Sequence, residues 1–100
     1  MSTRQETVVL VHGLYVHGLW MCLLESWLEQ SGYQTVNYSY PTMTRSPAEN
    51  ATTLQGLLEQ VDTPVVHFLA HSMGGLVVRY LFHDYPKQKP GRVVTLGTPH

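Results

Sequence analysis

The sequence has few of the features that mark disulfide-bonded, nucleic-acid-binding or membrane-spanning proteins. It contains one cysteine, Cys22, so no internal disulfide can form and no cysteine-based metal site can be assembled. Charged residues make up only 13% of the chain, and the formal net charge of -1 comes without any block of like charges. This charge pattern gives no electrostatic footprint for a nucleic-acid partner or an anionic membrane.

Long apolar runs are also absent from the sequence. All of them are shorter than the roughly 18 residues that a transmembrane helix needs. Only a short polar stretch precedes the first run, at Val8, which leaves no room for the hydrophobic region of a signal peptide. We therefore expect a cytoplasmic protein without a transmembrane segment.

What remains is a globular composition, 43% hydrophobic, in which short apolar runs alternate with helical patterns. We predict one domain over residues 1–100. The predicted strands are residues 8–11 and 65–69, which are continuous apolar runs, together with residues 34–40, which are followed by Pro41, and residues 93–96. The predicted helices are residues 20–28, ended by Gly32; 46–62, begun by a capping box; and 76–85. This alternation predicts an α/β fold, a mostly parallel sheet with helices on both faces.

The apolar patterns of the first and last helices also predict which of their residues are buried. Trp20 and Trp27 share the apolar face of the first helix, so we predict that both belong to the core. The last helix is apolar on nearly every side, apart from Arg79, His83 and Asp84. That pattern is typical of a helix buried in the middle of a domain.

A candidate nucleophile lies between the third predicted strand and the last helix, in the segment Ala70-His71-Ser72-Met73-Gly74. A serine hydroxyl becomes an effective nucleophile when a tight strand-to-helix turn lifts it clear of the backbone. In such a turn the residues two before and two after the serine pass so closely that only small side chains fit, and alanine and glycine stand there. The alternative role for Ser72 is that of a helix cap.

These residues resemble the α/β-hydrolase family, close to the small bacterial lipases and esterases, several of which share the sequence Ala-His-Ser-Met-Gly at this turn. The resemblance covers nearly the whole chain. It rests on Val-Leu-Val-His-Gly-Leu at residues 9–14, on residues 70–75, and on Leu-Gly-Thr-Pro-His at residues 96–100. It implies that Ser72 is the nucleophile and that the backbone N–H groups of Leu14 and Met73 form the oxyanion hole. The residues that would support this site are His12, Gly13, Ala70, His71, Gly74 and Gly75.

None of the 6 histidines is predicted to be the catalytic base. His71 is adjacent to Ser72 on a sharp turn, so we expect its side chain to point away from the hydroxyl. The others are excluded by position: His67 in a buried strand, His83 near the far end of the last helix, His12 and His17 in the loop of the oxyanion hole, and His100 after the last strand. Asp62 and Asp84 do not fit the family's order of serine, acid and histidine, so we predict surface charges there.

The resemblance implies a serine hydrolase of carboxylic esters, acting on a small-molecule ester or lipid without metal or organic cofactor. Its catalytic acid and histidine are expected beyond residue 100, so the sheet would be truncated after the strand that follows the nucleophile helix. Residues 1–100 alone are then expected to show little or no turnover. The competing hypothesis is a non-catalytic domain that keeps the fold for binding or regulation.

Overall fold

The sheet of this protein consists of parallel strands joined by helices. The structure, a computed structural model, describes residues 5–13, 19–40, 45–71 and 73–96. Its strands are β1 (Glu6–Gly13), β2 (Gln34–Tyr40), β3 (Val65–His71) and β4 (Val93–Leu96), and they lie in the order β2-β1-β3-β4. Its helices are α1 (Leu19–Gln30), α2 (Pro47–Leu58) and α3 (Gly74–Asp84). The predicted α/β architecture with a parallel sheet is confirmed for these residues.

Alternate side chains of the strands point to opposite faces of the sheet, and each face packs against different helices. Val9 and Val11 of β1 pack with residues of α2 and α3, including Leu54 and Leu81. On the other face, Val8 and Leu10 pack with Leu28 of α1 and with Leu24, Tyr33 and Leu69. Helices therefore lie on both faces, two on one and α1 on the other.

The carboxyl end of α1 and the amino end of α2 lie where local sequence signals predict them. Gly32, with φ of 99°, ends α1, and the N–H of Tyr33 reaches back to the carbonyl of Leu28. The capping box of α2 is also present, because Ser46 and Glu49 each accept a hydrogen bond from the other's backbone N–H.

Helix α2 ends at Leu58, four residues before the predicted end at Asp62. The N–H groups of Gln60 and Val61 bond to carbonyls three residues earlier instead of four. This tighter last turn takes the chain out of the α-helix before Pro64 is reached.

Two predictions about burial are wrong. Trp27 is 62% exposed rather than part of the core, and it lines an open groove with Leu28 and Val94. The side chain of Trp20 lies outside the described part of the structure. Helix α3 is not buried on all sides, since Tyr80 and Phe82 are 44% and 37% exposed while Val77 and Leu81 are fully packed. Helix α3 therefore has apolar residues on nearly all sides, but only one of its faces is buried.

Candidate active site

The carboxyl ends of β1 and β3 lie side by side at one edge of the sheet. Val11 pairs with Ala70, and both strands end within two residues of that pair. From β1 the chain passes to β2 on one side, and from β3 it passes to β4 on the other. Ligands of open α/β sheets bind outside the carboxyl ends of strands at such a switch point. This edge is therefore the place for a site in the fold.

The connection from β3 to α3 is very short. Strand β3 ends at His71 and α3 begins at Gly74, so Ser72 and Met73 alone connect them. Met73 is the residue before the helix, with φ of -67° and ψ of -9°, and it is 41% exposed. Its side chain has no oxygen to accept a hydrogen bond from the first turn. The amino end of α3, with its partial positive charge, thus lies at this edge without a capping oxygen from Met73.

Helix α3 begins in direct contact with the backbone of β1. A methyl group added at Gly74 would lie 3.1 Å from the carbonyl carbon of Val11 and closer still to its oxygen. Ala70, the register partner of Val11, is fully buried, as is Gly74 itself. The positions two before and two after Ser72 therefore both adjoin Val11, and both hold small residues. Gly75 is buried beside them.

His12 lies at the same edge, near the end of β1, and is only 3% exposed. Its Nε2 bonds to Oδ1 of Asn37, an oxygen that can only accept, so Nε2 carries the proton. Its Nδ1 lies 3.5 Å from the hydroxyl of Ser39, at the outer limit of a hydrogen bond. Both ring nitrogens thus face polar side chains of β2, and the exclusion of His12 as the base stays a prediction. Nothing in the sequence singled out Asn37 or Ser39, since neither belongs to a motif.

Tyr38 occupies the opposite face of β2 and is engaged with the main chain. Its hydroxyl donates to the carbonyl of Asn50 at 2.9 Å. Burial raises the pKa of Tyr38, although Arg45 and a hydrogen bond with Thr53 oppose the shift. The phenol stays neutral at neutral pH and serves packing.

The structure thus brings together every described residue of the predicted site. These are His12, Gly13, Ala70, His71, Met73, Gly74 and Gly75. Leu14, Ser72, His17 and residues 97–100 lie outside the described residues. The roles of Ser72 as nucleophile and of Leu14 and Met73 as oxyanion donors stay predictions.

His67 and His83 lie away from this edge. His67 bonds to Glu6 at 2.7 Å in the amino-terminal half of the sheet, and His83 lies beside Asp84 on the exposed side of α3. Asp62 and Asp84 are exposed, so the prediction of surface charges is confirmed. Within the described ranges, no three His, Cys, Asp or Glu side chains are grouped so that they could hold a metal ion.

Among the helices of the described residues, none has the length and apolarity needed to cross a bilayer.

Comparison with known proteins gives a family but no activity. No curated protein matches the sequence of this chain. A family model described as "Domain of unknown function (DUF7379)" matches residues 2–100, almost the entire chain. The chain therefore belongs to the DUF7379 family.

Proposed function

We propose that the protein is a serine hydrolase of carboxylic esters that works through an acyl-enzyme on Ser72. The observation that carries the proposal is the contact of Gly74 with the backbone of Val11, beside a two-residue link from β3 to α3. A nucleophile on a strand-to-helix turn needs this close approach of helix and neighbouring strand. The α/β-hydrolase resemblance of the sequence supports the same conclusion.

In the proposed reaction the Ser72 oxygen attacks the ester carbonyl, and a histidine takes the hydroxyl proton. The backbone N–H groups of Leu14 and Met73 hold the oxyanion of the tetrahedral intermediate. The intermediate expels the alcohol, which receives the proton from the histidine, and water then releases the acid from Ser72. Removal of one oxyanion donor slows comparable hydrolases by about 10²- to 10³-fold.

The proposal places the catalytic acid and histidine after residue 100. It requires no metal or organic cofactor, and its substrate is a small-molecule ester or lipid. Thioester, amide and acyl-transfer chemistry would use the same serine and oxyanion hole. A panel of matched acetyl esters, thioesters and anilides separates these reactions by their relative kcat/KM.

The test is covalent labelling of the natural protein, at its natural length, with a fluorophosphonate. We expect one phosphonyl group on Ser72, located by peptide mass spectrometry, and its disappearance in Ser72→Ala. Ser31→Ala is the matched control, because Ser31 is an exposed serine in the turn after α1. Residues 1–100 alone should label slowly or not at all. Labelling of the natural protein that survives Ser72→Ala would refute the proposal.

A non-catalytic binding or regulatory domain is the second candidate. It is favoured because no residue of 1–100 is predicted to serve as the catalytic acid or histidine. This candidate predicts no labelling of the natural protein and no acid and histidine in the sequence beyond residue 100.

A further inference from the structure

We propose that Asn37 is a positioning residue of the active site: it holds the ring of His12 and thereby fixes the backbone that leads into Leu14, one of the two oxyanion donors. The inference rests on the proposed function. It assigns a role in that reaction to a residue on β2, a strand that carries none of the residues of the predicted site.

The bond between Asn37 and His12 joins two adjacent strands near their carboxyl ends. Asn37 is the register partner of Leu10, and His12 is the partner of Ser39, so the side chains of Asn37 and His12 meet diagonally across the sheet. His12 is almost fully buried, whereas Asn37 is exposed. A buried imidazole nitrogen is therefore bonded to an acceptor on β2, the outer strand of the described sheet.

The location of this bond gives it a consequence for the site. His12 and Gly13 are the last two residues of β1, and Leu14 follows them directly. If Asn37 loses its acceptor, the N–H of His12 is buried without its present partner and the ring can turn away. Ser39 cannot replace Asn37, because its hydroxyl contacts the other ring nitrogen at 3.5 Å, which is long for a hydrogen bond. Loss of Asn37 is thus expected to loosen the backbone just before the oxyanion donor.

Thr35 provides a control on the same strand and the same face. Its hydroxyl bonds to the carboxylates of Glu25 and Glu29 on α1, at 3.2 and 2.7 Å. It pairs with Val8, four residues before His12, in the middle of the sheet. Substitution of Thr35 removes polar contacts of β2 without touching the end of β1.

The test compares Asn37→Leu, Asn37→Asp and Thr35→Val in the natural protein. Asn37→Leu should lower kcat for an ester and the rate of Ser72 phosphonylation by about 10- to 100-fold, because small displacements of catalytic groups have effects of this size. KM should change by no more than about twofold, as expected for a substitution outside the substrate contacts. Asn37→Asp keeps an acceptor for Nε2 and should restore most of the rate. Thr35→Val should leave both rates within about twofold, because Thr35 contacts α1 and not the end of β1.

Backbone amide exchange of the segment after Gly13 gives a second measurement that needs no turnover. Exchange there should quicken in Asn37→Leu and stay at the wild-type rate in Asn37→Asp and Thr35→Val. If Asn37→Leu is poorly folded, Asn37→Ser, which is too short to reach His12, replaces it on this exposed strand.

The two proposals fail in different ways. A wild-type protein without labelling at Ser72 refutes the proposed function and the inference together. A wild-type protein that labels normally, with Asn37→Leu indistinguishable from Thr35→Val in kcat and in exchange, refutes the inference alone. A loss in Asn37→Leu that Asn37→Asp does not restore also refutes it, because the acceptor would then not be the feature that matters.

Discussion

Replacement of Gly74 by alanine tests the contact on which the proposed site depends. The added methyl would lie 3.1 Å from the carbonyl carbon of Val11 and closer to its oxygen. Relief of this overlap requires α3 or β1 to move, because the obstacle is backbone rather than the end of a flexible side chain. Strand β1 is hydrogen-bonded on both sides, to β2 and to β3, so it resists displacement.

The expected cost follows from this geometry. Overpacking a well-packed core costs about 1–3 kcal/mol, and a backbone obstacle places Gly74→Ala in the upper part of that range, at about 2–3 kcal/mol. The gain in helix propensity is small at the first residue of α3. Since the helix must shift away from β1, the turn that holds Ser72 moves with it, and we expect phosphonylation of Ser72 to slow by about 10²-fold.

Gly56→Ala is the matched control. Gly56 lies inside α2, and a methyl group there would meet nothing within 4 Å. The same substitution should therefore stabilise the protein by about 0.5–1 kcal/mol through helix propensity and leave labelling unchanged. Urea unfolding of the two variants measures the free energies, and the fluorophosphonate measures the rates. A Gly74→Ala protein as stable and as reactive as Gly56→Ala would refute the close contact of α3 with β1.

Three further substitutions test individual contacts of the fold, each by urea unfolding. Gly91→Ala should destabilise by about 1–3 kcal/mol, because its methyl would lie 2.6 Å from the carbonyl carbon of Val66; wild-type stability would contradict that contact. Tyr38→Phe removes the hydrogen bond from the Tyr38 hydroxyl to the carbonyl of Asn50 and should cost about 0.5–1.5 kcal/mol; Tyr33→Phe is its control. Glu49→Gln tests pH dependence. Hydrogen bonding with Ser46 lowers the pKa of Glu49, so the charged form stabilises α2 above the ordinary carboxyl pKa, and this contribution disappears as the pH falls through the lowered value. The difference between wild type and Glu49→Gln should thus be present at neutral pH and vanish in acid; a difference that persists in acid would contradict it.

The elements that local sequence determines were predicted well. Strand β2 has the predicted bounds, and the capping box of α2 and the glycine that ends α1 lie at the predicted positions. These signals act within a few residues: the proline that follows β2, a serine and a glutamate three apart, and a glycine after the last apolar residue of a helix. Such signals do not depend on contacts with distant parts of the chain.

Burial was predicted less well, because it depends on what lies opposite a face. The apolar spacing around Trp27 correctly predicts a helix, yet the residue is 62% exposed because α1 alone packs on that side of the described sheet. Tyr80 and Phe82 of α3 are exposed for the same kind of reason. Hydrophobic periodicity gives the direction of a face, but the packing partner comes from distant parts of the chain.

Asn37 is the clearest example of a residue whose contact could not be predicted from the sequence. The His12-Gly13 motif can be recognised in the sequence because its residues are consecutive. The partner of its side chain is 25 residues away and becomes a neighbour only through the parallel register that pairs Leu10 with Asn37. A register shift of one residue would send Asn37 to the other face of the sheet. A side-chain partner of this kind, to which we assign the positioning of the proposed site, is set by strand register and not by any short pattern in the sequence.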